Sequence, residues 1–135
     1  MRIYRVEHTT KFFDGYYVGP FLETTGMNAY ITSAIIGENP HNHPSPRIDG
    51  IKNHKDGRDL SAVIDIDDVL FWFPDICGRK AMHDAGFILR VYEIDYLPKT
   101  RRGDHQISVN KNKIGEHTLV EEILLTDIED VLYRF

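Results

Sequence analysis

Side chains suited to ligand binding are concentrated in residues 40–50. This stretch contains two imidazoles, an amide, a hydroxyl, a guanidinium and a carboxylate, and three prolines restrict its backbone. Such a density of polar groups on a stiff loop is typical of a binding site. We therefore predict that His43, Ser45 and Arg47 contact a ligand. A purely structural, hydrogen-bonded loop is the plainer alternative.

The pair His41 and His43 raises the question of a metal site. Alternate residues of an extended chain face the same way, so both rings could bind one ion, with a third ligand from Asp49, His54 or Asp56. No cysteine pair and no HExxH helix accompanies them. We predict no metal, and we expect His43 to face the first strand as part of one wall of a ligand cleft.

A charged pair lies within the first predicted strand. Arg5 and Glu7 share a face with Ile3, and a charge inside a strand must reach solvent, a partner or a ligand. One alternative is an edge strand with a solvated Arg5 and Glu7. The functional alternative is an arginine at the floor of a cleft, which grips a phosphate or a ribose with its planar fork.

Two later strands offer further candidates. Gln106 precedes the inward-facing Ile107, so we expect it to point outward, where it would contact a ribose hydroxyl or simply face solvent. Glu93 lies in an apolar strand, where burial would raise the pKa of its carboxyl and suit it to acid–base catalysis. If Glu93 lies near the end of that strand, it is merely exposed.

The periodicity of apolar residues predicts the elements that position these side chains. Alternation indicates strands at residues 1–8, 87–95, 105–110 and 119–125, of which 87–95 is apolar on both faces and therefore central. Helical spacing indicates helices at 65–73, from Pro74 to Ala85 with Gly86 as the cap, and at 127–133. Residues 37–57 form a long loop rich in proline and histidine. We predict an α+β fold in one domain over residues 1–135, with a mostly antiparallel sheet and two central helices.

Composition limits the classes of function. The chain has 135 residues and a formal net charge of -5, which argues against broad neutralisation of nucleic-acid phosphates. The cations at 99–102 and 111–113 are interpreted as solvated loop charges, although a local patch stays open. No apolar run approaches the ~20 residues that span a bilayer. Cys77 is the single cysteine, which fits a reducing cytoplasm, and we expect it to be buried in the second helix.

Short motifs along most of the chain also carry a family resemblance. They are Tyr4-Arg5-Val6, Gly19-Pro20-Phe21, His43-Pro44, Leu70-Phe71-Trp72-Phe73, Gly86-Phe87, Val91-Tyr92-Glu93 and His105-Gln106-Ile107. This layout resembles small proteins of bacteriophages and their hosts, and it is similar to compact ADP-ribosyltransferase-like domains.

The second resemblance implies specific roles. Arg5 would contact NAD from the first strand, Gln106 would occupy the late-strand position, and Tyr30, Thr32 or Ser33 would supply the element between them. Active transferases usually carry glutamate where this chain has Gln106, and glutamine cannot supply a carboxylate. Glu93 or Glu116 would then take the catalytic part, or the protein would bind its ligand without turnover.

Three hypotheses follow. The first is a nucleotide-binding protein that binds NAD or a related ADP-ribose-type ligand between Arg5, the loop and Gln106. The second is a phage protein without catalytic activity that inhibits a host defence enzyme, using the aromatic loop at 12–17 and its carboxylates. The third is a metal-dependent hydrolase built on His41, His43 and Asp49.

Overall fold

A computed structural model describes residues 1–13, 21–22, 27–28, 46, 49–55, 57–73 and 76–132. The strands are β1 (Arg2–His8), β2 (Phe21–Leu22), β3 (Met27–Asn28), β4 (Asp59–Ala62), β5 (Phe87–Glu93), β6 (Ile107–Asn110) and β7 (Leu119–Ile123). The helices are α1 (Ile66–Trp72), α2 (Ile76–Asp84) and α3 (Ile128–Leu132). The α+β prediction, with two helices in the middle of the chain, is confirmed.

The main sheet has the antiparallel order β1-β5-β7, so the predicted central strand is confirmed. Two further antiparallel pairs are β4 with β6 and β2 with β3. The backbone groups of Tyr4 and Val63 exchange hydrogen bonds of 2.8 and 3.0 Å. This bridge brings the end of β4 to the edge of β1 that faces away from β5.

Each face of the main sheet carries its own hydrophobic core, because alternate residues of a strand point in opposite directions. The three helices cover one face, where apolar residues of the sheet pack against Val69, Trp72 and Met82. The second core joins the sheet to the apolar side of the β4–β6 pair. Its buried members are Ile3, Leu60, Ala62, Tyr92, Ile94, Leu97, Ile107, Val109 and Ile114. Within the described residues, no helix is long and apolar enough to cross a membrane.

Arg79 holds the three helices together. Its Nη1 donates to the backbone oxygen of Phe73, at the end of α1, over 2.7 Å, and its Nη2 pairs with Glu129 of α3. The last carbonyl groups of a helix lack partners within the helix, so a buried guanidinium is a suitable donor for them. The inward face of α2 therefore consists of Gly78, Arg79 and Met82, and it differs from the face that apolar spacing suggested.

Two expectations fail for related reasons. Cys77 is exposed, because α2 turns Gly78 and Arg79 inward. The strand β4 was missed, because its polar Asp59 and Ser61 are buried as fully as its apolar residues and leave no clear alternation of hydropathy. The short strands β2 and β3 were not predicted either, and the ends of β1, β5, β6 and β7 differ from expectation by up to two residues. Most of the predicted loop at 37–57 lies outside the described residues.

We predict that Gly86→Ala destabilises the protein more than Gly57→Ala does. Both glycines have positive φ angles, of 98° and 83°, which disfavour any side chain by about 1–2 kcal/mol. A methyl group at Gly86 would also lie 2.6 Å from Nε2 of His8, whereas the space at Gly57 is open. Urea unfolding should therefore show an additional loss of about 1–2 kcal/mol for Gly86→Ala, as expected for overpacking.

The double variant His8→Ala/Gly86→Ala is the control. It should recover the additional loss relative to His8→Ala alone, because the clash has been removed. Equal losses for the two glycine variants would contradict the close contact with His8.

Candidate functional site

Four polar side chains lie buried between β1 and β5. Arg5, Glu7, Arg90 and Tyr92 are each almost completely inaccessible to solvent. The strand register places Arg5 directly opposite Arg90, and like charges in that position repel each other. The carboxylate of Glu7 lies within reach of both guanidinium groups and compensates for this repulsion.

Glu7 accepts hydrogen bonds from all three neighbours. Nε of Arg5 donates to Oε2 over 2.6 Å, while Nη1 of Arg90 and the hydroxyl of Tyr92 donate to Oε1 over 2.9 and 2.7 Å. Charge-assisted hydrogen bonds of this kind are roughly twice as strong as neutral ones. The cluster therefore satisfies a buried charge that would otherwise be costly.

The pKa values in the cluster follow from these contacts. Burial alone would raise the pKa of Glu7, but the charge of Arg5 and the hydrogen bonds from Arg5, Arg90 and Tyr92 outweigh it and hold that pKa below its usual range. Burial, followed by the charge of Glu7, raises the pKa of the Tyr92 hydroxyl. Glu7 is therefore ionised and Tyr92 is neutral at neutral pH.

Arg90 also fixes the chain that follows β1. Its guanidinium donates to the backbone oxygens of Thr9 and Lys11, each over 3.1 Å, and lies 4.3 Å from the ring centre of Phe12. Its Nε reaches the half-exposed Glu122 of β7 over 3.3 Å. The residues after β1 are thus attached to the central strand through one side chain.

Arg5 connects the same cluster to β4, because its Nη1 donates to the backbone oxygen of Ser61. β1 therefore lies between β5 and the end of β4, and the expectation of a solvated edge strand is wrong. A ligand contact by Arg5 would require access to a guanidinium that has no exposed surface. In the described structure, Arg5 joins neighbouring strands.

A second polar cluster surrounds Asp59 at the start of β4. Its carboxylate accepts hydrogen bonds from the backbone of Lys55, from Arg58 and from Arg101, with the shortest to each at 2.9, 2.7 and 2.8 Å. Burial would raise the pKa of Asp59, but hydrogen bonds from Arg58, Arg101 and the Lys55 backbone, together with the charge of Arg101, hold it far below its usual range. Asp59 is therefore an anionic anchor for two arginines.

Ser108 extends this second cluster towards His54. Arg101 can only donate, so Oγ of Ser108 accepts from it at 3.4 Å, and the same Oγ shares a hydrogen bond of 2.8 Å with Nδ1 of His54. A serine beside a histidine can act as a nucleophile when a substrate reaches it. Ser108 has no exposed surface, so this pair supports the structure of the cluster.

Asp49 attaches the end of the loop to the turn before β6. Its Oδ2 accepts from the backbone nitrogens of His105 and Gln106 over 2.8 and 3.0 Å, and its backbone oxygen accepts from Asp104 over 3.2 Å. Gly103 packs directly against this carboxylate, where a larger residue would not fit. Gln106 is buried, so the expected outward side chain on a solvent face is not found.

The remaining sequence candidates are dispersed. Glu93 is the last residue of β5, its side chain is 54% exposed, and it pairs with the Met1 ammonium group at 3.3 Å. The alternative of an exposed strand end therefore holds for Glu93. His43, Ser45 and Arg47, as well as His41, lie outside the described residues. Their roles and the catalytic role of Glu93 stay predictions.

The structure contains two features that sequence reasoning did not find. Two of the three partners of Glu7, Arg90 and Tyr92, are far away in the chain, although an arginine within the otherwise apolar β5 was a usable signal. The Asp59 cluster depends on β4, which was missed. Among the described residues, no group of three or more His, Cys, Asp or Glu side chains could hold a metal ion.

Comparison with known proteins identifies the family of the chain. A family model described as Bacteriophage T4 Y00F protein matches residues 1–123, which include all seven strands and both polar clusters. The chain belongs to this family. The resemblance to phage proteins is thereby confirmed, and the protein is of a phage-encoded type. No curated protein and no solved structure matched the chain. The relationship to ADP-ribosyltransferases stays a prediction.

We predict that Glu7→Gln lowers the free energy of unfolding by about 3–5 kcal/mol, because it removes the buried negative charge that the guanidinium groups of Arg5 and Arg90 share. The matched control is Glu122→Gln, which removes the half-exposed partner of Arg90 and should cost less than about 1 kcal/mol. Chemical denaturation at neutral pH measures both values. Similar losses would contradict a central role for Glu7.

The same pair of variants predicts a dependence on pH. Because the pKa of Glu7 is lowered by folding, its contribution is complete above the unfolded value of about 4.3 and is lost as the pH falls through the folded value. The wild type should therefore lose stability below about pH 4.3 more steeply than Glu7→Gln does. Parallel curves would show that folding does not lower the pKa of Glu7.

Proposed function

We propose that this phage protein acts without catalysis, by binding a basic surface of a host protein through the outer side of β7. We call residues 119–124 the acidic edge. In the part of the chain that the structure describes, no strand pairs with this side of β7. Val120 and Leu124 are 46% and 43% exposed there. An exposed strand edge with apolar side chains is suited to a partner.

The charge around the acidic edge supports a basic partner. Residues 114–132 contain six acidic side chains and no lysine or arginine, and Glu121 and Glu122 lie within the strand itself. Complementary charge accelerates association and excludes partners of the wrong sign. This run of carboxylates is the observation that carries the proposal.

The same features disfavour pairing with a second copy of the chain. A register shift between Val91 and Tyr92 leaves Val120 as an extra residue in β7, and such bulges interrupt regular pairing at strand edges. Two acidic edges would also repel each other. The proposed partner is therefore a different protein, with basic side chains that meet Glu121 and Glu122.

The buried position of Arg5 favours this function over nucleotide binding. The nucleotide hypothesis relies on Arg5, which is engaged with Glu7 and Ser61, and on Gln106, which is buried beside Asp49. The aromatic loop was the other proposed contact surface, but Phe12 and Phe13 are half-buried and pack against the second core. The carboxylates are the part of the interaction hypothesis that the surface supports.

The biological consequence that we propose is inhibition of a host defence enzyme in the cytoplasm. Enzymes that act on nucleic acids carry basic substrate surfaces, and an acidic, partly apolar edge can occupy such a surface. The single cysteine and the phage family are consistent with this setting.

We predict that the pure protein captures a host protein that binds it stoichiometrically, and that Val120→Ser/Leu124→Ser weakens this binding at least about tenfold. Exposed apolar residues near the centre of an interface commonly contribute this much. The charge reversal Glu121→Lys should also weaken binding and reduce its dependence on salt. Calorimetry with the purified partner measures each affinity.

Ile76→Ser is the matched control, since Ile76 is 61% exposed and belongs to α2, outside the acidic edge. It should leave the affinity unchanged. Equal effects of all three variants would contradict the proposed surface. A titration with NAD belongs in the same experiment: binding heat together with consumption of NAD would favour the nucleotide hypothesis instead.

A further inference from the structure

Half of the cations of this acidic chain belong to three short segments. Residues 50–58, 98–102 and 111–113 hold eight of the 16 lysines and arginines and one aspartate. The segments are far apart in the sequence, and the fold brings them together at one end of the β4–β6 pair. Here Asp59, the first residue of β4, is paired with Asn110, the last residue of β6.

Backbone hydrogen bonds fix how the segments meet. The nitrogen of Lys111 donates to the oxygen of Arg58 over 3.0 Å, which joins the third segment to the first. The nitrogen of Lys55 donates to the carboxylate of Asp59, and Arg101 of the second segment donates to the same carboxylate. We call Lys55, Arg58, Lys99, Arg101 and Lys111 the basic face.

The two arginines of the basic face are held in place and retain unused donors. Asp59 and the backbone oxygen of Asn53 engage Nε and Nη2 of Arg58, and Asp59 with Ser108 engages Nη1 of Arg101. Within the described part of the chain, Nη1 of Arg58 and Nη2 of Arg101 have no hydrogen-bond acceptor. Their side chains are 45% and 21% exposed, so both groups can reach a ligand at little cost in conformational entropy.

The lysines of the basic face lack counter-charges of their own. Lys55, Lys99 and Lys111 are exposed, and no carboxylate of the described residues forms an ion pair with any of them. Among the described residues, the carboxylate at the centre is that of Asp59, which is fully buried and already shared by two arginines. The exposed surface of this face is therefore strongly positive although the whole chain has a charge of -5.

We propose that the basic face binds the phosphate backbone of nucleic acid. Planar guanidinium groups beside flexible ammonium groups are the donors that phosphate oxygens prefer. Among the residues that the structure describes, the large exposed apolar side chains are Phe71, Ile76, Tyr96, Val120 and Leu124, and all of them lie outside the three segments. A protein interface needs apolar anchors, so this surface fits a polyphosphate better than an acidic protein.

This site is independent of the acidic edge and of the host protein proposed for it. The net charge argued against nucleic acid only for proteins that neutralise phosphates over a broad surface. Contact with phosphates alone gives no base specificity, so binding should tolerate changes of sequence.

The test is fluorescence anisotropy of the whole protein with a labelled single strand, a labelled duplex and an RNA of the same sequence. With about four phosphate contacts, the slope of log K against log salt is about -3.6, and affinity falls about 100-fold between 50 and 200 mM salt. Lys99→Gln/Lys111→Gln should weaken binding about tenfold and reduce the slope by about two. The control Arg2→Gln/Lys80→Gln removes the same number of positive charges outside the basic face. It should change both the affinity and the salt slope less than Lys99→Gln/Lys111→Gln does.

Several results would overturn the proposal. The first is that no nucleic acid binds at 50 mM salt, and the second is that the two double variants have equal effects. The third is that a labelled oligoglutamate peptide binds more tightly than nucleic acid, which would assign the basic face to an acidic protein. Glu121→Lys should leave nucleic-acid binding in place, and Lys99→Gln/Lys111→Gln should leave host-protein binding in place. Failure of one proposal is thereby distinguished from failure of the other.

Discussion

Arg5 and Arg90 face each other across the two strands that form the centre of the sheet, and neither reaches water. The carboxylate of Glu7 binds both guanidinium groups and supplies the buried negative charge that offsets their repulsion. The same two arginines also hold the backbone at Thr9, Lys11 and Ser61. The attachment of β4 and of the chain after β1 to the sheet therefore depends on this ion network, in which Glu7 is the buried anion.

The elements that were predictable from the sequence are those whose pattern is local. β1, β5 and α1 have apolar residues at strand or helix spacing, and their surroundings agree with that pattern. β4 was not predictable in this way, since Asp59 and Ser61 become acceptable in the interior only through arginines that arrive from elsewhere. Cys77 is the opposite case, an apolar residue that lies at the surface. It is exposed because Arg79 occupies the inward face of α2, where it donates a hydrogen bond to the backbone oxygen of Phe73.

The roles of the candidate site residues were harder to predict than the helices and strands, because these roles also depend on partners that are distant in the sequence. The sequence shows that Arg5 needs a partner, but it does not show whether the partner is a ligand or another part of the chain. Tyr92 lies 85 positions from Glu7, and Arg101 lies 42 positions from Asp59. The net charge does not predict the charge of an individual surface either. The acidic run at 114–132 and the basic segments elsewhere partly cancel, which leaves a net charge of -5.

Asp49 has a consequence for communication within the molecule. It ends the proline-rich stretch and binds the amides of His105 and Gln106, immediately before β6. Two positions later, Ser108 contacts Arg101, so Asp49 and Arg101 are connected through hydrogen bonds at both ends and the backbone of residues 106–108 between them. Displacing Asp49 would break its hydrogen bonds to the residues immediately before β6, and a shift of β6 would break the same hydrogen bonds. Any coupling between an event at the loop and an event at Arg101 is then reciprocal, as thermodynamic linkage requires.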